Sequence, residues 1–101
     1  MKTLGTHNYY VYILTNKNKT VLYIGVTQNL EKRIYLHRNP ETSSNAFTKR
    51  YNCYYLIYYE HFDQIESAIL REKQLKGWSR TKKEKLITEF NKDWKFLNEA
   101  I

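Results

Sequence analysis

A chain of 101 residues carrying 17 Lys+Arg against 10 Asp+Glu, a formal net charge of +7 and 42% hydrophobic residues has room for one modest core, so a single domain over residues 1–101 is expected. An aromatic content of 16% excludes a disordered tail, and three glycines with one proline exclude collagen-like or Pro-rich architecture. The longest apolar run, Cys53–Tyr59, is far shorter than the ~20 residues of a membrane span, Met1–His7 lacks the apolar stretch of a signal peptide, and the lone Cys53 excludes an internal disulfide or a Cys-based zinc site, so a cytoplasmic, membrane-free setting is the expectation.

In chain order, Tyr9–Leu14 is aromatic and β-branched and predicts a strand. Val21–Val26 predicts a second. The polar stretch Thr15–Thr20 between them predicts a hairpin, and Gly25 is read as the place where the second strand ends. Thr27 or Asn29 can cap a helix running to about Arg38, with Leu30, Ile34 and His37 on one face. Asn39–Asn45 is a loop of breakers and small polar residues, and Ala46–Tyr51 is ambiguous. Tyr54–His61 is the strongest strand. Asp63 and Glu66 form a capping box for a helix with Ile65, Ala68, Ile69 and Leu75 inward and Gly77 as its stop. Thr81 and Glu84 form a second box, for a helix with Leu86, Ile87 and Phe90 inward. Asn91 can cap a last turn through Trp94 and Leu97. The order β-β-α-loop-β-α-α makes an α+β domain on a small sheet.

The positive charge fits a polyanion, because Lys and Arg that neutralise phosphates release counterions. Tyrosine faces can stack bases, although as a group the ten tyrosines read better as sheet and core packing.

Two residues break the helical patterns, and a third shares a face with one of them. Glu72 lies where the stripe through Ala68 and Leu75 wants an apolar side chain, and a carboxylate facing a core is costly unless paired or metal-bound. Its plainer reading is an edge position paired with a Lys or Arg. His37 interrupts the first helix in the same way, or is an ordinary core histidine. Arg33 shares its face, where it can clamp a phosphate by its planar fork or simply be a solvated charge. An Arg, a His and a Glu beside a tyrosine-rich sheet suit metal-assisted phosphodiester cleavage.

A longer ordered pattern runs through the chain: Tyr10-Val11-Tyr12, Tyr23-Ile24-Gly25, Asn29–Arg33 with His37, Phe47–Tyr51, Tyr58-Tyr59-Glu60, Glu66–Ala68 leading to Glu72, Leu75 and Lys76, then Trp78–Arg80 and Asn91–Trp94. Over a core of about residues 9–97 it resembles the GIY-YIG nuclease superfamily, and most closely its small single-domain URI-type (UPF0213-like) branch. The resemblance implies a three-stranded antiparallel sheet flanked by helices and a metal-dependent endonuclease using one Mg²⁺ or Mn²⁺, held weakly without DNA. Carried over, Glu72 is the metal ligand, Arg33 holds the scissile phosphate, Tyr12 and Tyr23 sit in the site with one helping to deprotonate water, and His37 assists. Gly25 and Asn91 lie near the site, and Lys32, Arg33, Lys49, Arg50, Lys76 and Arg80 are the candidate nucleic-acid contacts. A cation or nearby Lys/Arg is expected to lower a tyrosine pKa towards a useful base. The pattern departs at Tyr10, where the family has glycine.

DNA is expected over RNA as the partner, in structure-selective or single-stranded form, as in repair or recombination. The competing readings are a catalytically weak nucleic-acid-binding module and a protein-interaction domain built on Trp78 and Trp94.

Overall fold

The computed structural model describes residues 8–38 and 50–101; the side chains of Leu36, His37 and Arg38 and the whole of 39–49 lie outside the described residues. Strands β1 (Tyr9–Thr15), β2 (Leu22–Thr27) and β3 (Tyr55–Phe62) form an antiparallel sheet in the order β2-β1-β3. Each lies within one residue of its sequence-based bounds, because aromatic and β-branched residues fit a pleated, half-buried surface. The hairpin closes on Asn16. Its Oδ1 accepts from the backbone N–H of Thr20 (2.8 Å) and Val21 (3.1 Å), and its carbonyl accepts from Lys19 N–H (3.0 Å). Lys19 takes the left-handed conformation that this turn requires (φ 59°).

The register sorts the side chains. Tyr12 stands opposite Gly25 on one side and Tyr59 on the other, and Leu14 stands opposite Tyr23 and Leu56. Directly paired residues share a face and alternate residues return to it. Tyr10, Tyr12, Tyr23 and Tyr59 therefore line one face, packed with Leu30 and Ile34 of α1 (Leu30–Arg38). Val11, Ile13, Ile24 and Ile57 line the other, under Ala68 and Leu75 of α2 (Ile65–Lys76) and Ile87 of α3 (Arg80–Phe90).

Several local expectations shift. Asn29 rather than Thr27 caps α1, its side chain accepting from Lys32 N–H (3.0 Å). Neither capping box forms. Gln64, extended, occupies the cap position of α2 with no side-chain bond, so Asp63 stands one residue outside. Ser79 caps α3 by accepting from Lys82 N–H (3.2 Å), two residues ahead of Thr81, and Glu84 pairs instead with Arg80 (2.8 Å). Gly77 ends α2 in right-handed geometry. Ile69 turns outward at 38% exposure because Ala68 and Leu75 already take the sheet-facing stripe, and Phe90 is likewise exposed while packing edge-on against Tyr58.

The C-terminal segment staples the outer edge of β3. Asn91 closes its own turn with Lys95 and donates to Ile57 O (3.1 Å). Leu97 N–H donates to Leu56 O (2.7 Å), and Asn98 bridges Leu56 N–H and Tyr54 O (2.9 Å each). These bonds satisfy backbone groups that an edge strand otherwise leaves open to pairing. Among the described residues no helix is long and apolar enough to cross a membrane.

Candidate active site

Tyr12 is the centre of the tyrosine face. It is 1% exposed, and its ring lies 6.3 Å from that of Tyr23. Gly25 makes that placement possible. It sits inside β2 rather than ending it, and a Cβ built there would come 2.5 Å from the Tyr12 hydroxyl oxygen. The glycine supplies room for a ring and not a special backbone angle.

Burial pushes the Tyr12 phenol well above its ordinary value, with the neighbouring Tyr23 adding to the rise, the Arg33 guanidinium opposing it and the Glu72 carboxylate reinforcing it. Three elements, the hairpin, α1 and α2, thus bring Tyr23, Arg33 and Glu72 within electrostatic reach of Tyr12. The sequence-based expectation that positive charge lowers a tyrosine pKa is reversed at Tyr12, because desolvation outweighs Arg33.

Arg33 is exposed on α1 and, with Lys32, lines a cleft of about 440 Å³ whose other walls are the end of β2 (Val26, Thr27), the β2–α1 turn (Gln28, Asn29) and Ile65 at the start of α2. Glu72 has 21% of its side chain exposed and pairs with Lys76 one turn on at 3.2 Å. Tyr23, half-buried, is the more accessible of the two candidate tyrosines.

The family model described as the GIY-YIG catalytic domain matches residues 8–85. The chain belongs to the GIY-YIG family. A UPF0213 protein of Staphylococcus saprophyticus is 40% identical over 81 residues, covering 80% of this chain and 95% of the relative. One from Natronomonas pharaonis is 35% identical over 82 residues, covering 81% and 93%. The solution NMR structure of a UPF0213 protein from Bacillus halodurans aligns with a TM-score of 0.51 at 32% identity, over 80% of this chain and 83% of that one. The α+β sheet-and-helix fold of this GIY-YIG protein is therefore that of a solved relative.

The remaining sequence-based site residues divide. Arg80 is engaged structurally: its guanidinium donates to Thr20 O (3.0 Å), Lys19 O (3.1 Å) and Glu84 (2.8 Å), tying α3 to the hairpin turn. Asn91 spends its side chain on the β3 staple. Lys76 faces Glu72, and Arg50 lies over the Tyr51 ring at 5.5 Å. Lys49 and the His37 side chain fall outside the described residues.

One feature of the α2 mounting was not legible beforehand. Arg71, the neighbour of Glu72, grips Glu60 of β3 through Nε (3.1 Å to each oxygen) and Nη2 (3.0 Å), reaches Gln74 through Nη1 (2.6 Å) and lies over the Trp78 ring at 5.2 Å. The Tyr58 hydroxyl also donates to Glu60, and burial together with that bond raises the Tyr58 phenol. Such a two-pronged fork restrains the roll of α2 about its axis. Its one sequence signal is Glu60, a carboxylate in an otherwise apolar and aromatic strand.

Among the described residues no group of three or more His, Cys, Asp or Glu could hold a metal. A lone carboxylate with an exposed cationic neighbour still fits a hard cation of the Mg²⁺ kind, which keeps most of its shell as water and substrate phosphate. Glu72 meets that description.

Proposed function

We propose that this GIY-YIG protein is a divalent-metal-dependent endonuclease that hydrolyses DNA phosphodiester bonds. The observation that carries the reading is the convergence of Tyr23, Arg33 and Glu72 on Tyr12 from three separate elements. A domain that only binds nucleic acid needs surface cations, not two phenols and a carboxylate brought together.

Arg33, aided by Lys32, holds the scissile phosphate by its fork of N–H donors. Tyr12, its phenol raised above the ordinary value by burial, stays protonated and donates a hydrogen bond rather than taking a proton. Tyr23, nearer to solvent, orients the attacking water and relays its proton, taking it on the hydroxyl oxygen as its own phenol proton passes to solvent water. Glu72 would hold Mg²⁺ or Mn²⁺, exchanging its Lys76 partner for the ion. The ion, when bound, would stabilise charge on the phosphate oxygens. In the reaction, water oxygen bonds to phosphorus, the bond to the leaving alkoxide breaks, and the alkoxide is protonated. His37 is assigned to that proton or to phosphate contact.

The substrate is proposed to be single-stranded or structurally irregular DNA, as in repair or recombination, with the cytoplasm as the setting. A second reading, a nucleic-acid-binding module with faded chemistry, is favoured by Tyr10 in place of the family's glycine and by the Glu72–Lys76 ion pair.

The test is cleavage of labelled single-stranded, nicked and branched DNA with Mg²⁺ or Mn²⁺, wild type beside Glu72→Gln. Cleavage by wild type alone supports the nuclease. Salt-sensitive binding by both with cleavage by neither supports the module.

A further inference from the structure

We propose that the cleft beside Tyr10 and Tyr59 receives one unpaired nucleobase of the strand whose phosphate lies against Arg33; the phosphate assignment rests on the nuclease reading. Tyr10 and Tyr59 lie on the same face of the sheet, with ring centroids 6.4 Å apart at 70°. Tyr10 meets His61 in the same edge-on manner (5.3 Å, 63°). Tyr59 also meets Phe90 edge-on (5.3 Å, 74°). In each of these edge-to-face pairs one ring presents its edge and only the other has a face covered. The two tyrosines border a cleft of about 590 Å³, within the range of small-ligand sites.

Its electrostatics differ from those of the Arg33 cleft. Among the described residues its lining has no Lys or Arg and includes the Glu31 carboxylate, whereas the neighbouring cleft presents Lys32 and Arg33. A phosphate is favoured in the second and disfavoured in the first. An uncharged aromatic base suits the tyrosine-lined one. The two clefts adjoin the same turn, with Gln28 and Asn29 lining both. A nucleotide with its phosphate at Arg33 can therefore turn its base across the β2–α1 turn onto the tyrosines. Gln28, exposed there, offers both a donor and an acceptor to a base edge. Bases inside a duplex are stacked on their neighbours and cannot enter, so the cleft selects unpaired positions. Tyr10 stands where the GIY-YIG pattern has its first glycine, so this platform is a property of the departure itself.

The experiment measures binding with EDTA present, so that no strand is cut. The probes are a short DNA strand carrying a fluorescent base analogue and the matching duplex, with wild type, Tyr10→Leu and Gln28→Ala. The expected wild-type result is tighter binding of the single strand with quenching of the analogue. Tyr10→Leu keeps an apolar side chain and should lower the single-strand-to-duplex affinity ratio by roughly five- to hundredfold, the scale of one lost base–aromatic stack. Gln28→Ala, on an exposed turn and without risk to the core, should change the ranking among the four homopolymers. The same pattern on an RNA strand supports the subsite and assigns the sugar. The proposal is overturned if Tyr10→Leu, folded by circular dichroism, leaves the ratio unchanged or weakens strand and duplex equally, or if Gln28→Ala leaves the ranking intact. Cleavage by wild type without a strand preference overturns the subsite alone. Absence of all nucleic-acid binding overturns the nuclease reading with it.

Discussion

The two faces of the sheet are made from the same three strands and carry opposite chemistry. Under α2 and α3 lie Val11, Ile13, Ile24 and Ile57, apolar and excluded from water, where burial contributes stability and nothing reacts. Under α1 lie Tyr10, Tyr12, Tyr23 and Tyr59, which fill space as hydrophobic side chains do and add a hydroxyl each. One helix joins the two. α2 buries Ala68 and Leu75 against the aliphatic face and carries Glu72 into reach of Tyr12. A small fold can thus hold a reactive group rigidly by anchoring its helix in a core that takes no part in the chemistry.

The separation of duties is open to attack from either side. Ile87→Ala, in the aliphatic core but on α3 rather than on the helix that carries Glu72, should lower unfolding free energy by about 2–5 kcal/mol in a denaturant titration, while any protein still folded cleaves at the wild-type rate. Glu72→Gln should do the reverse. Cleavage falls by about 10²–10³-fold, the scale of losing one group that stabilises transition-state charge, and the same titration moves by at most about 0.5 kcal/mol, the worth of an i,i+4 pair. If Glu72→Gln destabilises strongly and leaves cleavage intact, the carboxylate belongs to the scaffold and the division fails.

Gly25→Ala sharpens the comparison on the tyrosine face. The added methyl collides with the Tyr12 ring, so stability should fall by about 1–3 kcal/mol and cleavage should fall with it. Cys53, buried in the tyrosine-face cluster, tests that cluster by pH. Burial pushes its thiol up from 9.0 to about 11. Below pH 9 both states hold the proton; between 9 and 11 the unfolded thiol loses it first. Stability should therefore drop by about 1–2 kcal/mol as pH rises through that window. Cys53→Ala should flatten the slope there, as read by denaturation at successive pH values, leaving the part due to Tyr12 and Tyr58, which shift in the same direction. The smallest effect belongs to the hairpin. Lys19→Gly should raise the melting temperature slightly, by about 0.5 kcal/mol of stability, since the left-handed backbone there suits glycine.

Much of the fold was legible because its signals are local. The aromatic, β-branched runs at Tyr9–Leu14 and Tyr54–His61 have one good conformation wherever they lie in the chain. The helix ends were less legible. Asp63 and Thr81 are good caps in isolation, but β3 runs on to Phe62 and leaves Gln64 at the helix boundary, and Ser79 competes two residues ahead of Thr81. At the candidate site the residue types were legible as breaks in pattern, as with Glu72 between Ala68 and Leu75. Arg80 was not. It reads as one more surface cation, and the carbonyls it binds are 60 and 61 residues away.

By itself the sequence determined the kinds of element, their order and the GIY-YIG motif, because propensity, periodicity and turn chemistry act over a few neighbouring residues. Only the tertiary structure decided that Tyr12 and Tyr23 share a face, that Gly25 makes room for a ring, and that Tyr12 is the more deeply buried of the two, its phenol raised above the ordinary value. Those outcomes depend on strand register and desolvation, which arise from residues brought together across the chain.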